Sequence, residues 1–140
     1  MIRKLICVED SAIMQNIYKR VFDSVDFAEE VVTARNGREA LDYYLDLLDG
    51  SSDGDGGGNH QEFPDLIFLD LNMPVMGGWE FLEEFDKLPL EEYPDIVILT
   101  SSVDPTDKVR AEKFPNIVEF LSKPLTFEML SDLEERLKER

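Results

Sequence analysis

Short apolar runs alternate with longer stretches in which apolar residues recur every three or four positions, and the alternation continues along the chain. The runs are Lys4-Leu5-Ile6-Cys7-Val8, Glu30-Val31-Val32-Thr33-Ala34, Leu66-Ile67-Phe68-Leu69, Ile96-Val97-Ile98-Leu99 and Ile117-Val118-Glu119-Phe120-Leu121. Runs of this length, bounded by turn residues, predict strands buried on both faces of a parallel sheet. Helical spacing fills the intervals. Ile13, Met14, Ile17, Val21 and Phe22 follow a Ser11 cap, and Ala40, Leu41, Tyr44, Leu45 and Leu48 follow Asn36-Gly37. Trp79, Phe81, Leu82 and Phe85 follow Gly77-Gly78, and Trp79 reads as packing. Pro105 suits the first turn of a short fourth helix ending near Phe114-Pro115. Thr126 caps a fifth helix that turns Phe127, Leu130, Leu133 and Leu137 inward.

Five strand–helix units in strict alternation predict an α/β fold with helices on both sheet faces and right-handed crossovers. The length fits a flavodoxin-like doubly wound (βα)5 arrangement, strand order 2-1-3-4-5, as one domain over residues 1–140. One segment breaks the rhythm. Residues 49–62 are rich in Gly, Ser and Asp and predict a flexible insertion. Asp53-Gly54-Asp55 lacks the later ligands of a calcium loop, and no Gly-Lys-Ser/Thr follows to cradle a phosphate. His60, the sole histidine, has no partner in the sequence.

A net charge of −17 argues against nucleic acid, whose backbone is held by Lys and Arg clusters, and no polybasic stretch suggests a membrane surface. No apolar run approaches the ~20 residues of a bilayer span, and the N-terminus does not read as a signal peptide. Cys7, the only cysteine, cannot form an internal disulfide and reads as a small buried hydrophobe. The expected setting is cytoplasmic.

The chemistry gathers at the strand ends. In open α/β sheets ligands bind just outside the carboxyl ends of the strands. Strand one ends on Glu9-Asp10, strand three on Asp70, strand four on Thr100, and strand five leads into Lys123-Pro124. Three carboxylates, one hydroxyl and one ammonium should therefore converge. Each alone has a plain structural reading, as helix cap, turn residue or core aromatic in the case of Phe120. Together the acids invite a hard divalent cation with oxygen ligands, for which magnesium is the best match.

These residues in this order resemble the receiver domain of two-component response regulators, of the chemotaxis single-domain type. The likeness rests on Glu9-Asp10, Asp70-Leu71-Asn72-Met73-Pro74, Gly78, Thr100 and Lys123-Pro124, and it covers essentially the full length. It implies that Asp70 is the phosphoacceptor, served by a sensor histidine kinase or a phosphotransfer protein. Asp10, Asp70 and the Asn72 backbone carbonyl would ligate magnesium, or manganese in its place, with Glu9 holding the ion through water. Lys123 and Thr100 would receive the phosphoryl group, and Lys123-Pro124 would be cis. Thr100 and Phe120 would form the switch that alters the face of helix four, strand five and helix five. Asn72 and Ser102 occupy positions that tune phosphoryl lifetime. Glu9 and Gly77 depart from the commoner residues of the family at their positions. The expected role is a stand-alone signalling module that acts on a protein target or relays the phosphate onward, and that lacks a DNA-binding effector. Dimerisation through helices four and five is left open.

Two other classes fit the residues less well. A phosphatase with an aspartyl-phosphate intermediate wants a second acid two residues past its nucleophile, where this chain has Asn72. A flavin-binding flavodoxin-like protein wants a Ser/Thr/Gly-rich loop after strand one, where this chain has Glu9-Asp10.

Overall fold

The computed structural model describes residues 2–49, 63–101 and 104–138. The expected insertion lies outside the described residues except for Asp49, which closes a helix and does not open the loop. Ten elements alternate without exception: β1 (Ile2–Val8), α1 (Ala12–Ser24), β2 (Ala28–Ala34), α2 (Gly37–Asp49), β3 (Leu66–Asp70), α3 (Gly78–Phe85), β4 (Asp95–Thr100), α4 (Pro105–Ala111), β5 (Ile117–Ser122) and α5 (Phe127–Lys138). The strands form one parallel sheet in the order β2-β1-β3-β4-β5, as the sequence predicts. β3, at the centre, is buried along its whole length, whereas the edge strand β5 is mostly half-buried.

Strand side chains alternate between faces, and the two cores follow that parity. One face carries Leu5, Cys7, Leu66, Phe68, Val97, Leu99 and Leu121, covered by Tyr18, Val21 and Phe22 of α1 and Leu130 and Leu133 of α5. The other carries Ile6, Val8, Ile67, Leu69, Ile96 and Ile98, covered by α2, α3 and partly buried groups from α4 and beyond. Sheet order and parity together decide which strand-end residues can meet.

Local signals set the helix starts. Ser11 Oγ accepts the Met14 N–H at 3.2 Å, Thr126 Oγ1 accepts the Met129 N–H at 3.2 Å, and Asp104 Oδ1 accepts the Thr106 N–H at 2.8 Å ahead of Pro105. Each satisfies a backbone donor that a helix start leaves unpaired. α4 ends at Ala111, short of the expected Phe114-Pro115. Glu112, Lys113 and Phe114 continue as tightened turns, each N–H reaching the carbonyl three residues back.

The inner faces of three helices differ from expectation. Ile13 and Ile17 of α1 are exposed, at 72% and 41%, and Tyr18 is buried in their stead. Leu45 and Phe127 are also exposed, at 40% and 55%. α1 offers two apolar stripes, and packing against α5 and the sheet selects the one through Met14, Tyr18 and Phe22.

Gly78 marks a close approach. A Cβ there would stand 2.8 Å from the Asp70 carbonyl oxygen and 2.9 Å from Leu71 Cα. Both are backbone atoms of the turn that presents Asp70, so neither yields readily. Gly78→Ala is expected to lower stability by about 1–3 kcal/mol, as overpacking does. The check is a lower urea midpoint at unchanged slope; an unchanged midpoint would refute the clash.

Candidate functional site

The charged residues predicted from sequence do converge at the carboxyl end of the sheet. β1 and β3 are neighbours, with Val8 level with Leu69, so Glu9 stands level with Asp70. By alternation Glu9 follows Leu5 and Cys7, Asp70 follows Leu66 and Phe68, and Lys123 follows Leu121, all on the α1/α5 face. The Lys123 N–H donates to the Thr100 carbonyl at 2.8 Å and extends the β4–β5 ladder by one residue past Ser122. That bond fixes the base of the lysine. The Lys123-Pro124 peptide is cis, as the resemblance implies.

The Lys123 ammonium bridges two buried carboxylates. Nζ donates to Asp70 Oδ2 at 3.0 Å and lies 2.8 Å from Glu9 Oε1. The second contact is a close ion pair between groups shielded from water. Glu9 Oε2 accepts the Ser11 N–H at 3.1 Å, and Asp70 Oδ1 accepts the Asn72 N–H at 3.1 Å. Gln15 ties the shelf together, its Nε2 donating to the carbonyls of Glu9 at 2.7 Å and Ala34 at 2.8 Å.

Burial raises the Glu9 carboxyl above the usual range, against the pull of Lys123 and the Ser11 N–H. Burial works against the Lys123 charge too, but Glu9 and Asp70 outweigh it and hold the ammonium above an ordinary lysine. Cys7, directly below, is pushed up to about 12 by burial first and by Glu9 second. Its thiol is therefore neutral and inert near neutral pH.

The third acid completes a cation site. One oxygen each from Glu9, Asp10 and Asp70 lies within 4.8 Å of the others, with Asp10 the most accessible. Three carboxylates against one ammonium leave a formal excess of two negative charges, which one divalent cation would cancel. Oxygen-only donors and this negative excess suit a hard ion such as magnesium.

Thr100 and Phe120 fall on the opposite face. Thr100 pairs with Ser122 and Ile98 with Phe120, so Thr100 and Phe120 are diagonal neighbours on one side of adjacent strands. Thr100 is 2% exposed, and Phe120 is half-buried against the α3/α4 core. Asn72 is exposed beside Asp70, and Ser102 lies outside the described residues. Sequence reasoning missed Gln15 and Tyr18. The spacing Met14, Tyr18, Phe22 could have revealed the tyrosine; nothing in the sequence marks Gln15.

The family model for the response regulator receiver domain matches residues 5–135. The chain belongs to that family. Among relatives of this receiver, the probable methanogenesis regulatory protein FilR2 of Methanothrix harundinacea is 32% identical over 96% of this chain and 81% of its own length. Several protein-glutamate methylesterases also match; that of Methanococcoides burtonii is 27% identical, and the receiver spans 33% of it. What their names say of catalysis belongs to those longer proteins. Among solved structures, a two-component response regulator from Cytophaga hutchinsonii superposes with a TM-score of 0.78 at 25% identity, covering 99% of this chain and 98% of that one. One from Legionella pneumophila gives 0.75 at 28% identity, with 99% of both chains covered. No helix among the described residues is long and apolar enough to cross a membrane.

Proposed function

We propose that this receiver takes a phosphoryl group on Asp70 from the phosphohistidine of a sensor histidine kinase or phosphotransfer protein. The observation that carries this reading is the Lys123 ammonium seated on Asp70 Oδ2, beside two further carboxylates at the mouth of the sheet. A bond forms between an Asp70 oxygen and phosphorus while the phosphorus–nitrogen bond breaks, its electron pair leaving with the imidazole. Such transfers depend on positioning and charge neutralisation more than on covalent assistance. Lys123, 3.0 Å from Asp70 Oδ2, would meet the phosphoryl oxygens as a point charge.

Glu9, Asp10, Asp70 and the Asn72 backbone carbonyl are the residues that would hold magnesium, or manganese in its place. When bound, the ion neutralises the phosphoryl and carboxylate oxygens. The Thr100 hydroxyl then turns to the phosphoryl group, and Phe120 takes up the room released on the face it shares with Thr100. This biases two states of the α4–β5–α5 surface. That surface is suited to change: α4 buries no residue fully, and its Val109 is 64% exposed. Asn72 and Ser102 would set how long the phosphoryl group lasts. Ile13 at the start of α1, Val75 before α3 and Phe127 at the start of α5 are all exposed at the Asp70 end of the sheet. They offer an apolar rim for the phosphodonor.

The module is read as a single cytoplasmic signalling domain that passes its state to a protein partner, not as a turnover enzyme. The test is incubation with acetyl phosphate and magnesium followed by intact mass measurement. One phosphoryl adduct is expected, dependent on the cation; no adduct would refute the reading.

A further inference from the structure

Three side chains on one side of α4 converge on a single residue of α3. Asp107, Arg110 and Phe114, spaced three and four apart, share a stripe of α4 and the tightened turns that continue it. The Trp79 indole N–H donates to Asp107 Oδ1 at 3.3 Å, and the Arg110 guanidinium lies over the indole ring, 5.1 Å from its centre. The Phe114 ring stacks on the indole at 6.0 Å and 28°. Arg110 also reaches Glu83, one turn after Trp79 on α3, at 3.9 Å. The anchor and the helix it holds differ in kind. Trp79 is buried in the core beside Phe81 and Leu82, whereas α4 has no buried residue. Each holding contact is modest, because the Arg110 contacts lie at the surface, where water and salt weaken both cation–π and ion-pair attraction. Together they decide where α4 rests.

We propose that Trp79 is a latch that pins α4 to α3 in the resting protein and lets it go when Asp70 is phosphorylated. The release rests on the phosphoacceptor reading above; the latch does not. The latch is built next to the parts on which that reading acts. α3 starts on the turn that presents Asp70, with the Gly78 N–H donating to the Leu71 carbonyl at 3.0 Å and Trp79 following directly. Phe120 packs against the same core as Trp79 and Phe114. A shift of the turn moves the indole, and a shift of Phe120 disturbs the packing that the two rings share. Because the holding contacts are few, a small bias moves α4 between held and released states.

Trp79 is the only tryptophan, so its fluorescence reports on the latch alone. Asp107→Ala removes the acceptor of the indole N–H. In the unphosphorylated variant, quenching by acrylamide should rise, and α4 amides should exchange about tenfold faster, the scale of one hydrogen bond to a charged group. Amides of β3 should change far less. Trp79→Phe breaks the same bond from the α3 side and should speed α4 exchange to a similar degree. If only Asp107→Ala does so, the acid serves its own helix start and the latch is overturned. Wild-type quenching and exchange in unphosphorylated Asp107→Ala overturn it too. Wild type phosphorylated by acetyl phosphate should approach the values of the unphosphorylated variant, and phosphorylating Asp107→Ala should change them little further. A phosphoryl adduct by mass with unchanged quenching and α4 exchange overturns the release alone. Absence of any adduct overturns the phosphoacceptor reading and the release with it, while the unphosphorylated variants still decide the latch.

Discussion

Asp70→Asn is expected to gain no phosphoryl group from acetyl phosphate under conditions in which the wild type gains one. The two side chains have the same shape, and the amide oxygen can still accept the Asn72 N–H that Asp70 Oδ1 accepts at 3.1 Å. Packing around the fully buried β3 should therefore persist. What is lost is the nucleophile, since an amide oxygen lacks the charge that would attack phosphorus. The substitution also lowers the acid count at the cation site from three to two. Ligand charge sets the affinity of such sites, so magnesium should bind about tenfold more weakly or worse. Intact mass and calorimetric titration read the two effects separately. An adduct that survives in Asp70→Asn would mean that another residue accepts the phosphate.

The central position of Asp70 was legible in the sequence for a physical reason. A strand buried on both faces is a continuous apolar run, and Leu66–Leu69 ends abruptly on an acid. Only the end of a parallel strand tolerates a carboxylate in that setting, and the same logic exposed Glu9 and Thr100. Strict alternation implied a parallel sheet, and five units over this length matched the 2-1-3-4-5 order. The helices were harder. α1 carries Ile13, Met14, Ile17, Tyr18, Val21 and Phe22, a band too wide for one inner face. Periodicity could not choose between the stripe through Ile17 and the stripe through Tyr18; contact with α5 and the sheet does. The resemblance separated Glu9 from Asp10 as ligands but said nothing of their burial. Adjacent acids look alike in sequence, yet Glu9 is buried against Lys123 whereas Asp10 is the accessible one.

That burial makes Lys123→Met the most informative second substitution. Methionine replaces the stem of the lysine but not its charge, leaving Glu9 and Asp70, 2% and 4% exposed, facing each other without the ammonium between them. Removing one partner of a buried ion pair costs about 3–5 kcal/mol, most of it the penalty of stranding the other charge. In the metal-free variant the melting temperature should fall accordingly. Magnesium should then restore more stability to Lys123→Met than it adds to wild type. The reason is electrostatic: the excess negative charge rises from two to three when the ammonium goes, so the cation meets a stronger field and no competitor for Glu9 Oε1. Phosphoryl uptake should move the opposite way. With the cation saturating, the rate from acetyl phosphate should still fall by about 10²–10³-fold, the scale of losing one preorganised charge at a transition state. The two readouts part company only if Lys123 serves the transferring group rather than the resting fold. A variant that regains stability in magnesium and also takes phosphate at the wild-type rate would reduce Lys123 to a structural counter-ion for Glu9 and Asp70.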